Sequence, residues 1–174
     1  MKYFFIFILI SNGLFAQVQK AFPYRNDDLS GKIINFDTFY EGKVEKEKIF
    51  KIKFEFVKKN LQKPERYSVI GVVDFNKTIT KFEGEIIFKE VFGVRNYPEE
   101  VLIFGDFNFN EKKDDKITGD FKGKIRIQTE KDINKFESGA TVTFKGELKE
   151  DETEIYQIWF GNFNHNDIDK VIFR

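Results

Sequence analysis

Between residues 117 and 128, apolar or glycine residues alternate with polar residues at every position. Ile117, Phe121 and Ile125 belong to the first set, and Asp120 and Lys124 belong to the second. Successive side chains of a β-strand point to opposite faces of the sheet, so this pattern predicts a strand with one buried and one solvated face. The same alternation recurs along most of the chain and constrains its fold more than any other feature.

Short polar or glycine-containing turns separate the alternating segments, which is typical of β-hairpins. Strands are expected within residues 29–40, 50–56, 67–75, 82–88, 103–109, 117–128, 140–148, 155–163 and 171–173. No segment carries a convincing helical stripe, although residues 58–62 are compatible with one helical turn. The pattern predicts an all-β protein, an antiparallel up-and-down meander of about eight to nine strands.

Glycines recur in the strand interiors, mostly in the apolar register. They are Gly71, Gly84, Gly105, Gly119, Gly123, Gly146 and Gly161. Glycine destabilises a strand, so its recurrence indicates bends, bulges or the close approach of a neighbouring aromatic ring. Inward glycines also let a sheet coil and close, and closure removes unpaired edges. A closed or nearly closed barrel is therefore favoured, and a two-sheet β-sandwich is the alternative.

This arrangement resembles the calycin group, the lipocalins, fatty-acid-binding proteins and avidins, which have up-and-down barrels. Leu29-Ser30-Gly31-Lys32 is similar to the opening of those barrels, with Ile33 where a tryptophan is expected. The resemblance implies a lipocalin-like barrel with a ligand inside, and it does not identify the ligand.

The N-terminus has the layout of a secretory signal peptide. Lys2 precedes the apolar run of residues 4–10, a polar break follows, and the small residue Ala16 is a plausible cleavage point before Gln17. The alternative is an ordinary buried N-terminal strand. We expect residues 1–16 to be the signal peptide and residues 17–174 to form a single all-β domain, secreted or periplasmic in a bacterium. The chain has no cysteine for a lipid anchor and no run long enough for a transmembrane helix.

The composition and motifs argue against several functions. The 29 Lys and Arg balance the 29 Asp and Glu, so no net charge attracts nucleic acid or anionic membranes. The single histidine, His165, makes neither a catalytic triad nor a metal set by itself. The Asn and Asp around His165 favour a turn over a calcium site, and the EF-hand-like start at Asp106 fails at Glu111 and Ile117. We expect no enzyme activity, cofactor or metal.

Aromatic side chains are the most suggestive population for binding. Those in the inward register are Phe54, Phe56, Phe75, Phe82, Phe88, Phe107, Phe121 and Phe144. They either fill the core, which an eight-stranded barrel permits, or line an apolar cavity. If a cavity exists, the candidate ligand-binding residues are Tyr67, Phe107, Phe121, Gln157 and Trp159, with the polar atoms of Tyr67, Gln157 and Trp159 facing the ligand.

The function favoured by these patterns is an exported, non-enzymatic barrel that binds a small apolar molecule. The alternative is a structural or interaction module of the cell envelope that acts through its outer face and long connections. Those connections are expected at residues 58–66, 90–100 and 130–139, where binding commonly resides. The sequence names no protein partner.

Overall fold

A computed structural model describes residues 21–34, 39–44, 48–75, 77–113, 116–134, 139–149 and 154–162. Within them lie helix α1 (Ser30–Ile33) and strands β1 (Tyr40–Val44), β2 (Lys48–Lys59), β3 (Arg66–Phe75), β4 (Thr78–Val94), β5 (Tyr97–Lys113), β6 (Lys116–Glu130), β7 (Thr141–Lys149) and β8 (Ile155–Gly161). The prediction of an all-β protein is confirmed. The described part contains no helix long and apolar enough to cross a membrane.

The eight strands form one sheet whose hydrogen bonds run in a ring. Each strand pairs antiparallel with the next, and β1 also pairs with β8, where Gly42 lies opposite Phe160. This up-and-down order confirms the predicted meander, and the strands share one sheet instead of the two of a sandwich. Because the ring closes, neither β1 nor β8 is left as an unpaired edge strand.

Phenylalanine rings fill the middle of this closed sheet. The almost fully buried aromatic residues are Tyr40, Phe50, Phe54, Tyr67, Phe82, Phe88, Phe109, Phe121, Phe144 and Phe160. Phe144 stacks on Phe160 with 4.4 Å between ring centroids, and Phe54 meets Tyr40 edge to face at 5.1 Å. Each such pair adds about 0.5–1.5 kcal/mol to the burial term. A packed aromatic core therefore occupies most of the interior, as expected for eight strands.

Inward glycines make room for these rings on the neighbouring strands. Gly71 of β3 lies between Phe54 of β2 and Phe82 of β4. A Cβ atom on Gly71 would lie 2.6 Å from Phe82 Cζ, which no real packing allows. The pairing recurs around the ring, with Gly42 opposite Phe50 and Phe160, Gly84 opposite Phe109, Gly105 opposite Phe88, and Gly123 opposite Phe107. The glycines thus allow the close approach of aromatic rings that the sequence suggested.

A bulge corrects the predicted inward position of Phe56. The pairing of β2 with β3 shifts register between Phe54 and Phe56, because Glu55 is an extra residue there. One extra residue moves the following side chains to the opposite face. Phe56 is consequently 43% exposed on the outer face, and Val57 is buried in its place.

Three expected segments differ from the structure. Residues 29–40 do not form one strand, because Leu29 and Ile33 are buried on one side of α1 and β1 begins at Tyr40. Residues 58–62 contain the end of β2 and an irregular turn instead of a helical turn. Residues 90–100 are mostly strand, since β4 continues to Val94 and β5 begins at Tyr97. The expected strand at 171–173 and His165 lie outside the described residues.

Candidate functional site

One end of the closed sheet is covered by residues 21–34, here called the N-terminal plug. Leu29 and Ile33 of the plug are fully buried against the aromatic core. Phe22 stacks on Phe88 of β4, with ring centroids 5.9 Å apart. This end, where β2 finishes and β3 begins, is the closed end.

Two buried tyrosines attach the plug to the strands. Tyr40 Oη donates a hydrogen bond to the carbonyl oxygen of Ile33 at 2.7 Å, and the backbone N–H of Leu29 donates to Tyr67 Oη at 3.0 Å. Burial raises the pKa of Tyr67 to about 12 and also raises the pKa of Tyr40, because ionised phenol loses hydration there. Both hydroxyls therefore act as structural contacts in their neutral form.

Charged and amide groups complete the attachment. Lys59 Nζ donates hydrogen bonds to the carbonyl oxygens of Arg25 and Asp27, at 2.7 and 2.6 Å. Asn134, from the connection after β6, donates through Nδ2 to Asp27 Oδ1 at 3.0 Å. Hydrogen bonds to charged donors are stronger than neutral ones, so the plug is well held at this end.

The opposite end, called the open end, contains a cavity of about 300 Å³. It lies where β3, β5 and β7 finish and where β2, β4 and β8 begin. Its surface is nearly as polar as it is apolar, and its lining consists of Val44, Phe50, Val73, Phe75, Thr78, Thr80, Glu111, Phe121, Leu148 and Tyr156. This open-end cavity is the candidate functional site.

Glu111 is the one carboxylate among the described residues that line the cavity. Strand alternation in β5 turns it inward, in the same set as the buried Phe107 and Phe109. The hydroxyl of Thr80 donates a hydrogen bond to Glu111 Oε1. Gly119 pairs with Glu111, and a Cβ there would lie 2.9 Å from Glu111 Oε2, so the glycine leaves room for the carboxylate.

Sequence reasoning missed Glu111 as a lining residue. The sequence suggested only that Glu111 interrupts an EF-hand pattern. Strand alternation could have identified it. Continued by two residues, the alternation places position 111 on the same inward face as Ile103, Gly105, Phe107 and Phe109.

The predicted ligand-binding residues inside the sheet do not share one pocket. Phe121 lines the open-end cavity. Phe107 belongs to the filled core, where its ring lies 5.3 Å from that of Phe144. Tyr67 is at the closed end and contacts the plug. The structure therefore brings Phe121 alone of these three to the cavity.

The expected inward placement of Gln157 and Trp159 is wrong. In β8 the buried side chains are those of Ile158 and Phe160, so the two predicted residues lie in the outer register. Gln157 Nε2 donates to Glu147 Oε1 at 3.2 Å across the outer face. Because residues 155–163 are apolar on both faces, the sequence did not show which of them point inward. Tyr156 is the aromatic residue of β8 that lines the cavity.

A second depression lies on the outer face above the Gly123–Gly146 pair. It is wide open to solvent, and its rim carries Asp106 and Lys124. Burial raises the pKa of Asp106, but hydrogen bonds from Lys124 and Lys89 lower it by more, so this pKa lies below its usual value. These charges satisfy one another at the surface, and the depression is too open to solvent to enclose a ligand.

Neither a candidate metal site in the described residues nor a similarity to known proteins points to a function. In the part of the chain that the structure describes, no group of three or more His, Cys, Asp or Glu could hold a metal ion. No protein-family model, curated protein or solved structure matches the chain. The geometry and chemistry of the open-end cavity are therefore the features from which a function can be inferred.

Proposed function

We propose that the chain is an exported, non-enzymatic carrier with a lipocalin-like barrel that binds one small apolar molecule. The observation that supports this most is the open-end cavity of about 300 Å³. Ligand pockets commonly measure about 300–1,000 Å³, so the site suits a compact molecule. Because the N-terminal plug covers the other end, the ligand enters and leaves at the open end.

The lining has the chemistry of a binding pocket for an apolar body. Phe50, Val73 and Leu148 provide apolar surface, and transferring apolar area from water stabilises a complex by about 25 cal/mol per Å². Thr80 and Glu111 provide a small number of polar atoms that orient a ligand. Below this lining the core is filled by aromatic rings, so a long chain has no space to extend toward the closed end.

Export is supported by the order of charge, apolar run and small residue at the N-terminus. Cleavage after Ala16 would leave residues 17–20 ahead of the plug, so the mature chain would keep all the residues that cover the closed end. Expression in a bacterial host followed by intact mass measurement tests this. We expect an exported form that begins at Gln17; a form retaining residues 1–16 would contradict export by cleavage.

Ligand binding is tested by filling the cavity. Val73→Phe places a larger side chain on its wall, whereas Val72→Phe, the matched control, changes the adjacent residue in the outer register. We expect an apolar fluorescent probe such as phenyl-naphthylamine to bind the native chain and the control but to bind Val73→Phe at least about tenfold more weakly. Circular dichroism and thermal unfolding verify that each variant is folded.

The alternative function is an interaction module of the cell envelope that acts through its outer face and loops. Native mass spectrometry of the purified mature chain, with extraction of co-purified small molecules, distinguishes it from a carrier. A folded protein that carries no small molecule and binds no probe would favour the interaction module and end the carrier proposal.

A further inference from the structure

We infer that the chain pairs with a second copy of itself through the last residues of β4, so that the two sheets join edge to edge. At the closed end, β4 extends beyond the start of β3. Its pairing with β3 finishes at Ile87, followed by one hydrogen bond from the N–H of Phe88 to the carbonyl oxygen of Glu65. β4 itself continues to Val94.

Residues 89–94, here called the β4 edge, are paired on one side. In the described part of the chain their ladder partners all belong to β5, so the backbone N–H and C=O groups that point away from β5 meet no other strand. Such a row of unpaired groups is a template for pairing with another chain. All six residues are at least partly exposed, so a strand from outside can reach them.

The charges that normally protect an edge are missing from most of this one. Lysines and bulges discourage pairing with other chains. β2 also continues beyond its last pair with β1, but its residues there include Lys53, Lys58 and Lys59. The β4 edge has a bulge and two charged residues at its start, and residues 91–94 then carry no charge. These four residues are therefore the part able to accept a strand.

An apolar surface continues from the β4 edge across the outer face. Phe92 is 52% exposed, and its ring meets that of Phe104 edge to face, with 5.7 Å between centroids. Leu102, the ladder partner of Phe92, is also partly exposed. A second copy paired at this edge would bring its own aromatic pair beside this one, and aromatic cross-strand pairs stabilise a sheet.

The order of charges along the edge favours a second copy in the antiparallel orientation. Glu90 precedes the uncharged residues 91–94, Arg95 follows them, and both are exposed. Antiparallel pairing places the Glu90 of each copy near the Arg95 of the other. Parallel pairing would place like charges side by side, which destabilises a sheet. The segment is thus complementary to itself when it is turned by a two-fold rotation.

The two-fold axis is expected to pass beside Phe92. In antiparallel pairing around this position, Val91 of one copy lies opposite Gly93 of the other, and the two Phe92 side chains lie on the same face. Lys89 does not oppose this arrangement, because it forms an ion pair with Asp106. The cavities of the two copies lie at the opposite ends of their sheets and remain accessible.

Sedimentation velocity of the mature chain, from about 1 μM to about 1 mM, measures the self-association. We expect a monomer–dimer equilibrium. Phe92→Lys should weaken the dimer at least about tenfold, because it places two like charges opposite each other at the axis. Ile70→Lys is the matched control, at an apolar residue 44% exposed on β3, which is paired on both sides, and it should dimerise as the native chain does. Circular dichroism verifies that both variants are folded.

The absence of cysteine from the chain allows a second test. At the axis, the two Cα atoms of residue 92 would lie about 4.5–5.5 Å apart, which is within the range of a disulfide. Phe92→Cys should therefore form a disulfide-linked dimer under mild oxidation, as seen on a non-reducing gel. Ile70→Cys, the matched control, should remain without this link.

Each outcome decides the inference. A native chain that stays monomeric throughout the concentration range would overturn it and leave the β4 edge to a different partner. A dimer that persists in folded Phe92→Lys, or that Phe92→Cys fails to cross-link, would show that the copies meet elsewhere and would also overturn it. The native measurement needs no variant, so a misfolded Phe92→Lys leaves the test valid. The carrier proposal is independent of all these results, because it depends on the cavity at the open end.

Discussion

At the residue scale, Gly71 shows why glycine recurs on the inward face. A Cβ atom there would meet the backbone oxygen of Lys53 at 2.3 Å and the ring of Phe82 at 2.6 Å. Gly71→Ala should therefore lower the free energy of unfolding by about 1–3 kcal/mol, the usual cost of overpacking. Gly93→Ala is the control, since nothing lies within 4 Å of its Cβ position. Urea unfolding of both variants checks this; equal stabilities would contradict the steric role of Gly71.

Because of Tyr67, the free energy of unfolding should decrease as the pH becomes alkaline. Burial raises its pKa from 10.0 to about 12, so the folded state favours the neutral phenol. A raised folded-state pKa contributes stability that is complete below about pH 10 and is lost as the pH rises through about 12. Tyr40 adds to the same trend, because burial also raises its pKa. The free energy of unfolding should therefore fall across this range.

The variant Tyr67→Phe separates the two effects of this residue. At neutral pH it should be less stable by about 1–3 kcal/mol, because the N–H of Leu29 loses its acceptor. Above about pH 10 it should lose less stability than the native chain, since one of the tyrosines with a raised pKa is absent. Tyr97→Phe, at a residue 60% exposed, is the control and should follow the native curve. Denaturant unfolding at several pH values measures these differences.

At the element scale, the N-terminal plug is expected to be part of the folded domain. Ile33→Ala removes a fully buried side chain from α1 and should lower the free energy of unfolding by about 2–5 kcal/mol. It should also increase binding of anilinonaphthalene sulfonate, because the closed end loses apolar cover. Leu61→Ala, at a residue 90% exposed, should change neither measurement. Unchanged stability of Ile33→Ala would show that the plug does not support the core.

Strands were predictable where the alternation of apolar and polar residues is unbroken, and β6 is the clearest case. Its alternation through residues 117–128 predicted a strand, and Lys116–Glu130 is one. Alternation predicted the wrong face for Phe56, after the bulge at Glu55. The sequence there alternates regularly between charged residues and Phe, so it does not reveal that one residue is extra. Alternation also failed for residues 30–33, where short apolar spacing fits a helical turn or a strand, and burial against the sheet end decides between them.

At the scale of the whole molecule, closure of the sheet predicts uniform protection of its strands. β1 lies between β2 and β8, with Lys43 opposite both Ile49 and Trp159. Amides of residues 40–44 and 155–161 should then exchange hydrogen at least about tenfold more slowly than those of the exposed turn at 61–63. Mass spectrometry of peptides from the exchanged protein measures this. Exchange in β1 as fast as in the turn would indicate an open edge.

The sequence by itself determined most of the strands and, where the alternation is unbroken, the face that each of them buries. Alternation with a period of two is a local property, and glycines placed in the apolar set indicated tight packing of aromatic rings, as between Gly71 and Phe82. These inferences needed no information about distant residues. They were enough to predict the fold class, the meander and the aromatic core.

Only the tertiary structure decided which end of the sheet is covered and which side chains meet at the other. Thr80, Glu111 and Tyr156 lie on three different strands, and they line one cavity because the registers of β4, β5 and β8 bring their ends together. Gln157 and Trp159 point outward for the same reason, since a shift of one residue reverses the face. Register is set by packing between segments far apart in the chain, and no local pattern contains it.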